Sequence, residues 1–517
     1  MTRQSFLRGA FILMLAGLIT KILGFINRIV MARILGEEGV GLYMMAVPTF
    51  ILAIVLTQIG LPVAIAKFVA EAEAMNDRQK VKRILTVSLA VTSVISIILT
   101  IAIMLLTPIL AKTLLTDERT YYPLIAILPV VPVIAVSSVL RGYFQGKQNM
   151  KPGAYAQVLE QVVRITIIAI CIRLFLPYGV EYAAAGAMLS AVLGEVASLL
   201  FLLTLFQREK HISIRNGFLN TVKESKHTFH SLMEIALPTT GSRLIGSISY
   251  FFEPIVVMQS LAIAGVAASV ATQQYGILNG YAFPLLSLPA FITYALSTAL
   301  VPSISEAMAK RQHQLVEYRL QQALRISLIT GGWSVIILYV FASPVLTLMY
   351  GSDSATAFIR LLAPCFLFHY FQSPLTSVLQ ALNLARAAMM NTFVGAIVKL
   401  LVIFILASRP EFQMMGVALA IAANIITVTF LHYATVLKKI TFTIYLKDYL
   451  YGGIAILAAG TFGFYLHHHV IFSQSLGIQT LWEITLTTLI YIVLLLIFKL
   501  IRKEELRRIP FLRKLFI

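Results

Sequence analysis

Apolar runs of about 20 residues or more, long enough to cross the hydrocarbon core of a bilayer as helices, recur along the whole chain between short polar breaks. The pattern predicts about fourteen spans, over 6–35, 40–70, 84–111, 121–144, 153–177, 181–206, 228–258, 270–302, 320–349, 354–382, 388–408, 413–437, 446–469 and 480–502. No separate soluble domain fits between them, so the fold class is an all-α polytopic membrane protein. The first run leads straight into a cationic motif without a small-residue cleavage site, and reads as a first span and not as a removed signal peptide. Prolines interrupt several spans; Pro284 and Pro289 in the eighth read either as functional kinks or as static bends.

Polar positions inside the spans repeat as well. Residues 20–26 read TKILGFI and residues 242–248 read SRLIGSI, which places Lys21 and Arg243 at equivalent points of two helices. Further on, 140–165 lines up with 375–400, so that Gln145 falls on Gln380, Lys151 on Arg386 and Arg164 on Lys399. The segment 185–194 likewise matches 415–424. Spans 1–6 and 7–12 are therefore two copies in the same order, and six spans per copy make them parallel repeats, an arrangement that places a substrate site between the halves. The expected organisation is an N-lobe over 1–206, a cytoplasmic linker over 207–227 and a C-lobe over 228–437. Residues 438–517 add two helices without counterpart and a basic tail.

Charge changes the picture twice. Of 517 residues, 59% are hydrophobic and 12% charged, half the share of an ordinary soluble domain. The net charge of +19 comes from Lys and Arg gathered in alternate loops, as cytoplasmic loops do. That places both termini in the cytoplasm and makes nucleic acid the wrong partner. Within the first span, Lys21 and Arg28 lie seven residues apart and project from nearly one face. A cation at the bilayer centre costs about 2.5–3.5 kcal/mol on insertion scales, so two of them require a water-filled cavity or a partner anion.

The remaining candidates are acids and amides. Glu160 and Arg164 are one helical turn apart and form an expected ion pair. Glu195 and Glu253 are intramembrane carboxylates, read either as coupling sites or as partners of a nearby Arg. His467, His468 and His469 are consecutive and face different ways, which disfavours a metal site there. Cys171 and Cys365 stand singly in apolar runs and read as packing residues. No Walker A, HExxH or GxSxG motif is present. An enzyme, a cofactor and a metal are not expected; a coupling ion or the membrane potential is left open.

The motif from Lys21 to Tyr43, K-I-L-G-F-x-x-R-x-x-x-A-R-x-L-G-x-x-G-x-G-x-Y, resembles the polysaccharide biosynthesis branch of the MOP (multidrug/oligosaccharidyl-lipid/polysaccharide) exporter superfamily. The resemblance implies two six-helix lobes in a V around a central cavity, alternating access and lipid-linked saccharide cargo. The stretches 239–257 and 300–312 are similar to a sporulation branch, which implies a lipid II-type peptidoglycan precursor for the spore cortex, carried on undecaprenyl pyrophosphate in the cytoplasmic membrane. Related flippases carry functional arginines in their first, second and eighth helices. Lys21 matches the first of these, Asn27 falls on its neighbour one residue before Arg28, and Asn279 falls on the arginine of the eighth helix. Those of the second helix fall near Leu52 and Ala53, so Arg243 is expected to supply what these positions lack. Two other readings stand beside the flippase: a multidrug or cation antiporter of the same fold, and a non-transporting scaffold for cell-wall synthases.

Overall fold

The first helix, α1 (Phe6–Gln58), runs straight through the expected boundary between the first two spans. Its 53 residues are helical except at Gly36, with φ 73° and ψ 178°, a conformation open essentially to glycine alone. A helix of that length would measure roughly 80 Å against a core of about 30 Å, so the kink divides it into two passes. The break expected between 35 and 40 is therefore a single residue, and Glu37 to Gly41 are already helical.

The computed structural model describes residues 6–208, 226–440 and 445–501. Most of the predicted linker and the basic tail from 502 onward lie outside the described residues. After α1 come α2 (Leu61–Ala74), α3 (Arg78–Ile109), α4 (Tyr121–Ile127), α5 (Val130–Gly146), α6 (Lys151–Phe175), α7 (Val180–Arg208) and α8 (Lys226–Ile263). The remainder are α9 (Ala268–Gly276), α10 (Phe283–Ser287), α11 (Ala290–Ala309), α12 (His313–Val340), α13 (Ala342–Tyr350), α14 (Thr356–Ala381), α15 (Ala385–Ala407), α16 (Gln413–Leu437), α17 (Leu446–His469) and α18 (Leu476–Ile497). No strand occurs among the described residues.

Several predicted spans are broken helices. The second stops at Ile59 and Gly60, with φ 42° and 62°, just ahead of Pro62. The fourth breaks before Pro129, which has no N–H to continue the ladder. The eighth passes from α9 through a π-helical turn, Ile277–Ala282, into α10 and then α11, with a bend of 52° at the break. Of its two prolines, Pro289 sits at that bend and Pro284 lies in the first turn of α10. Among the described residues ten helices are long and apolar enough to cross a membrane, eleven when the bent pair is one span. That is fewer than the expected fourteen or so. Leu15–Ala74 counts once there, and α6 and α14 are not among the ten. The chain is a multi-pass helical membrane protein.

Two compact units divide the chain: one of Met1–Gly280 with Ala407–Met414, the other of Tyr281–Leu406 with Met415–Ile517. In the first, Leu61, Ile65, Val69, Leu85, Tyr143 and Phe144 pack into a core between α2, α3 and α5. In the second, Leu320, Leu324, Leu375 and Val378 form a comparable core between α12 and α14.

The duplication has a backbone counterpart. Asn76 and Arg311 share φ 55°, and Gln148 and Asn383 have φ 56° and 60°. Each ends a helix in the left-handed region, and the next N–H reaches back to close the last turn: Asp77 to Ala72, Gln312 to Ala307, Asn149 to Phe144 and Leu384 to Leu379. Both pairs stand 235 positions apart, the offset that places Gln145 on Gln380.

Candidate functional site

Three residues on one face of α1 set the site's position. Lys21, Gly24 and Arg28 are spaced three and four apart and share a helix face. A Cβ at Gly24 would stand 3.9 Å from Gln161 Oε1 on α6, so this face looks toward α6. Lys21 is exposed, Arg28 half-buried and Asn27 buried. A cation within a spanning helix needs water or a partner anion, since lipid would not solvate it.

The partner surface comes from α8 and α9. Arg243 is exposed on α8, and its carbonyl accepts the Ser247 hydroxyl at 3.1 Å. Two turns on, Tyr250 and Glu253 lie on the same helix, with Glu253 only 5% exposed. Tyr250 feels the charges of Glu253 and Arg28 together with the Tyr43 hydroxyl, and buried Tyr275 of α9 feels Glu253 and Tyr250. Arg28 and Glu253, far apart in sequence, thus both lie within electrostatic range of one tyrosine. On the same helices and the π turn that follows, Asn27 Oδ1, Gln274 Oε1, Asn279 Nδ2 and Thr20 Oγ1 are buried without a hydrogen-bond partner. Buried polar atoms are rarely left unsatisfied, at about 1–3 kcal/mol each, so each of these calls for a water or ligand atom beside it. Asn279 owes its position to the π turn, a feature frequent at functional sites.

A second cluster lies within α5, α6 and α7. Arg164 Nη2 donates to Glu160 Oε1 at 3.0 Å, the predicted i,i+4 pair. Glu195, 3% exposed, is not a lone carboxylate: Arg141 Nη2 donates to its Oε1 at 3.0 Å and to Ser198 Oγ at 3.1 Å. The same nitrogen stands 3.8 Å from Glu160 Oε2, which joins both pairs into one quartet. Arg141 had no signal in the sequence beyond a cation near the end of an apolar run, because its partner is 54 residues away.

Elsewhere, His467 Nδ1 lies 3.0 Å from Glu483 Oε2, and Glu483 accepts from Gln479 at 2.7 Å. Among the described residues no group of three or more His, Cys, Asp or Glu is placed to hold a metal. Cys171 is buried and Cys365 half-buried.

The chain matches the family model described as "Polysaccharide biosynthesis protein" over residues 6–308 and that described as "MatE" over 279–405. It is 57% identical to stage V sporulation protein B of Bacillus subtilis (strain 168), over 517 residues and the whole of both chains. Lipid II flippase MurJ of the same organism is 25% identical over 415 residues, 76% of each chain. A solved structure of lipid II flippase MurJ in an inward closed conformation superposes with TM-score 0.69 at 16% identity, covering 96% of this chain and 99% of that one. An inward-facing multidrug resistance MATE family transporter of the MOP superfamily gives TM-score 0.63 at 18% identity, covering 85% and 95%. At those identities the likeness is one of fold.

Proposed function

Since the chain belongs to the polysaccharide biosynthesis protein family of the MOP superfamily, we propose that it is a flippase for an anionic lipid-linked saccharide, of lipid II type and destined for spore cortex peptidoglycan. The observation that carries the reading is the polar layer shared by α1, α8 and α9. Lys21, Arg28 and Arg243 offer three cations along two helices that pack together, beside amide groups of Asn27 and Asn279 that lack partners. Guanidinium and ammonium groups hold a diphosphate by charge-assisted hydrogen bonds, and amides supply both donors and acceptors to sugar hydroxyls. The prenyl chain stays in an apolar environment. A groove of about 200 Å³ walled by Phe368, Phe371, Phe430, Tyr433 and Tyr449 offers one beside α17. On this reading the protein sits in the cytoplasmic membrane with its basic loops inside, in a sporulating cell in that of the mother cell or forespore.

An antiporter of cationic drugs shares this fold, but it needs acids where this layer has three cations to one carboxylate. Translocation of a purified lipid-linked saccharide by the protein in liposomes, with and without a membrane potential, tests the reading. Lys21→Ala and Arg243→Ala should each lower the rate roughly 10- to 100-fold, the loss of about 1.5–3 kcal/mol for a hydrogen bond to a charged group, with unchanged insertion. Parent rates in both variants would remove the site, and gradient-driven uptake of a cationic dye would favour the antiporter.

A further inference from the structure

Above the polar layer, at one end of the same helices, lies a cluster of hydrogen bonds that the cargo reading does not use. Arg119, in the turn between α3 and α4, donates from Nη1 to Glu38 Oε1 at 2.7 Å and from Nε and Nη2 to Asp117 at 3.0 and 2.9 Å. Asp117 is 4% exposed and also accepts the Thr272 hydroxyl of α9 at 2.7 Å. The next residue, Gln273, donates to Glu37 Oε2 at 2.8 Å. Gln259, near the end of α8, donates to the carbonyls of Thr113 and Leu114 at 2.6 and 3.2 Å. Those carbonyls belong to a π-helical turn, Leu110–Leu114, that ends α3. Each of the last three ties runs from an element of the first sequence repeat to one of the second.

Backbones touch at the same level. A Cβ on Gly41 would collide with the Thr272 carbonyl, and one on Gly276 would stand 2.5 Å from the Gly41 nitrogen. The site lies just beneath on the same helices: Arg28 precedes the Gly36 kink by eight residues, Glu253 precedes Gln259 by six, and Tyr275 follows Thr272 by three. Nothing larger than a backbone contact separates the helices here.

We propose that this cluster is the latch that closes the polar site toward one face of the membrane, with Asp117 and Arg119 holding Thr272 and Gln273 against the kink of α1. Its chemistry suits a joint that has to open. Hydrogen bonds of a protein exchange for those of water at little net change, whereas a sealed apolar joint would have to expose its surface. Arg119 keeps both Glu38 and Asp117 when α9 leaves, so no charge is stranded in the open state. The latch rests on the transport reading only for the identity of what passes through it.

Accessibility of the site from outside intact cells tests the latch. In a background with Cys171→Ala and Cys365→Ala, an Asn27→Cys reporter is exposed to a membrane-impermeant maleimide. Arg119→Gln should raise the labelling rate at least tenfold. Thr272→Val, which removes one donor and little volume, should raise it by a smaller factor. Oxidative cross-linking of Glu37→Cys to Gln273→Cys should lower labelling below the parent rate, and reduction should restore it. Labelling that stays at the parent rate in both Arg119→Gln and Thr272→Val, each confirmed monodisperse after purification, overturns the latch. Faster labelling in a protein that moves no lipid-linked saccharide leaves the latch standing and removes the cargo reading. Translocation by the parent with labelling unchanged in the variants does the reverse.

Discussion

One helix-to-helix joint occurs twice in this chain, once with charge and once without. In the first repeat Arg141 of α5 reaches Glu195 and Ser198 of α7 at 3.0 and 3.1 Å. In the second, Gln372 of α14 reaches the Ile425 carbonyl and the Thr429 hydroxyl of α16, both at 3.1 Å. The sequence alignment makes these matching helices, and the glycines confirm the register. A Cβ on Gly194 would stand 2.8 Å from the Glu160 carbonyl, and one on Gly395, the counterpart of Glu160, would stand 2.6 Å from Asn424, the counterpart of Gly194. A neutral amide therefore suffices to tie these helices. The charged version carries the added desolvation of four ionised groups, which a buried network recovers only when every member is paired. Arg141 Nε and Arg164 Nε lack partners, so the quartet is not optimised for stability.

The largest expected effect comes from breaking the charged joint. Arg141→Ala leaves the Glu195 carboxylate without its guanidinium and should lower stability by about 3–5 kcal/mol. Gln372→Ala, at the neutral joint, removes hydrogen bonds of about 0.5–1.5 kcal/mol each. Thermal unfolding in detergent reads both, and equal losses would show that charge adds nothing to the first joint. Arg141→Gln with Glu195→Ile imports the neutral chemistry and should regain most of the lost stability. If translocation also survives in that double variant, the quartet is structural only. A smaller contrast separates the glycines. Gly194→Ala drives a methyl at a backbone carbonyl, which cannot rotate away, at about 1–3 kcal/mol. Gly395→Ala collides with side chains of Val428 and Asn424 and meets the Asn424 carbonyl only at an ordinary 3.6 Å, so it should cost less.

What the sequence disclosed follows the distance over which each feature acts. Helical runs were legible because burying backbone in lipid demands about 20 apolar residues in a row. The pair Glu160–Arg164 was legible because its members are one turn apart. Breaks at Gly36, Gly60, Pro129 and Pro289 have chemical causes in the residues themselves. The π turns at Leu110–Leu114 and Ile277–Ala282 left no such mark, and with them the placement of Asn279 was hidden. Arg141 and Glu195 are 54 residues apart, and Asp117 and Thr272 are 155 apart. No spacing rule connects residues at those separations. Asp117 and Arg119 read as ordinary loop charges until α9 was seen to pack over them.

pH offers the weakest handle on the contrast between charged and neutral ties, and it acts through the latch. The amide joint of α14 and α16 has no acid to titrate. Burial works to raise the Asp117 carboxyl, but hydrogen bonds from Arg119 and Thr272, with the Arg119 charge, overcome it and hold the group below its ordinary value of 3.8. A carboxyl depressed in the folded state contributes stability that is fully present above its unfolded value and is lost as pH falls through the folded one. The difference in unfolding midpoint between the parent and Arg119→Gln should thus stay constant from pH 8 to pH 5, a range chosen to lie well above the ordinary value of 3.8, and shrink only below that value. The gap between the parent and Gln372→Ala should keep its size through the same titration. A latch contribution that fades already between pH 7 and pH 6 would mean that a histidine or a raised carboxyl, not Asp117, holds α9 in place.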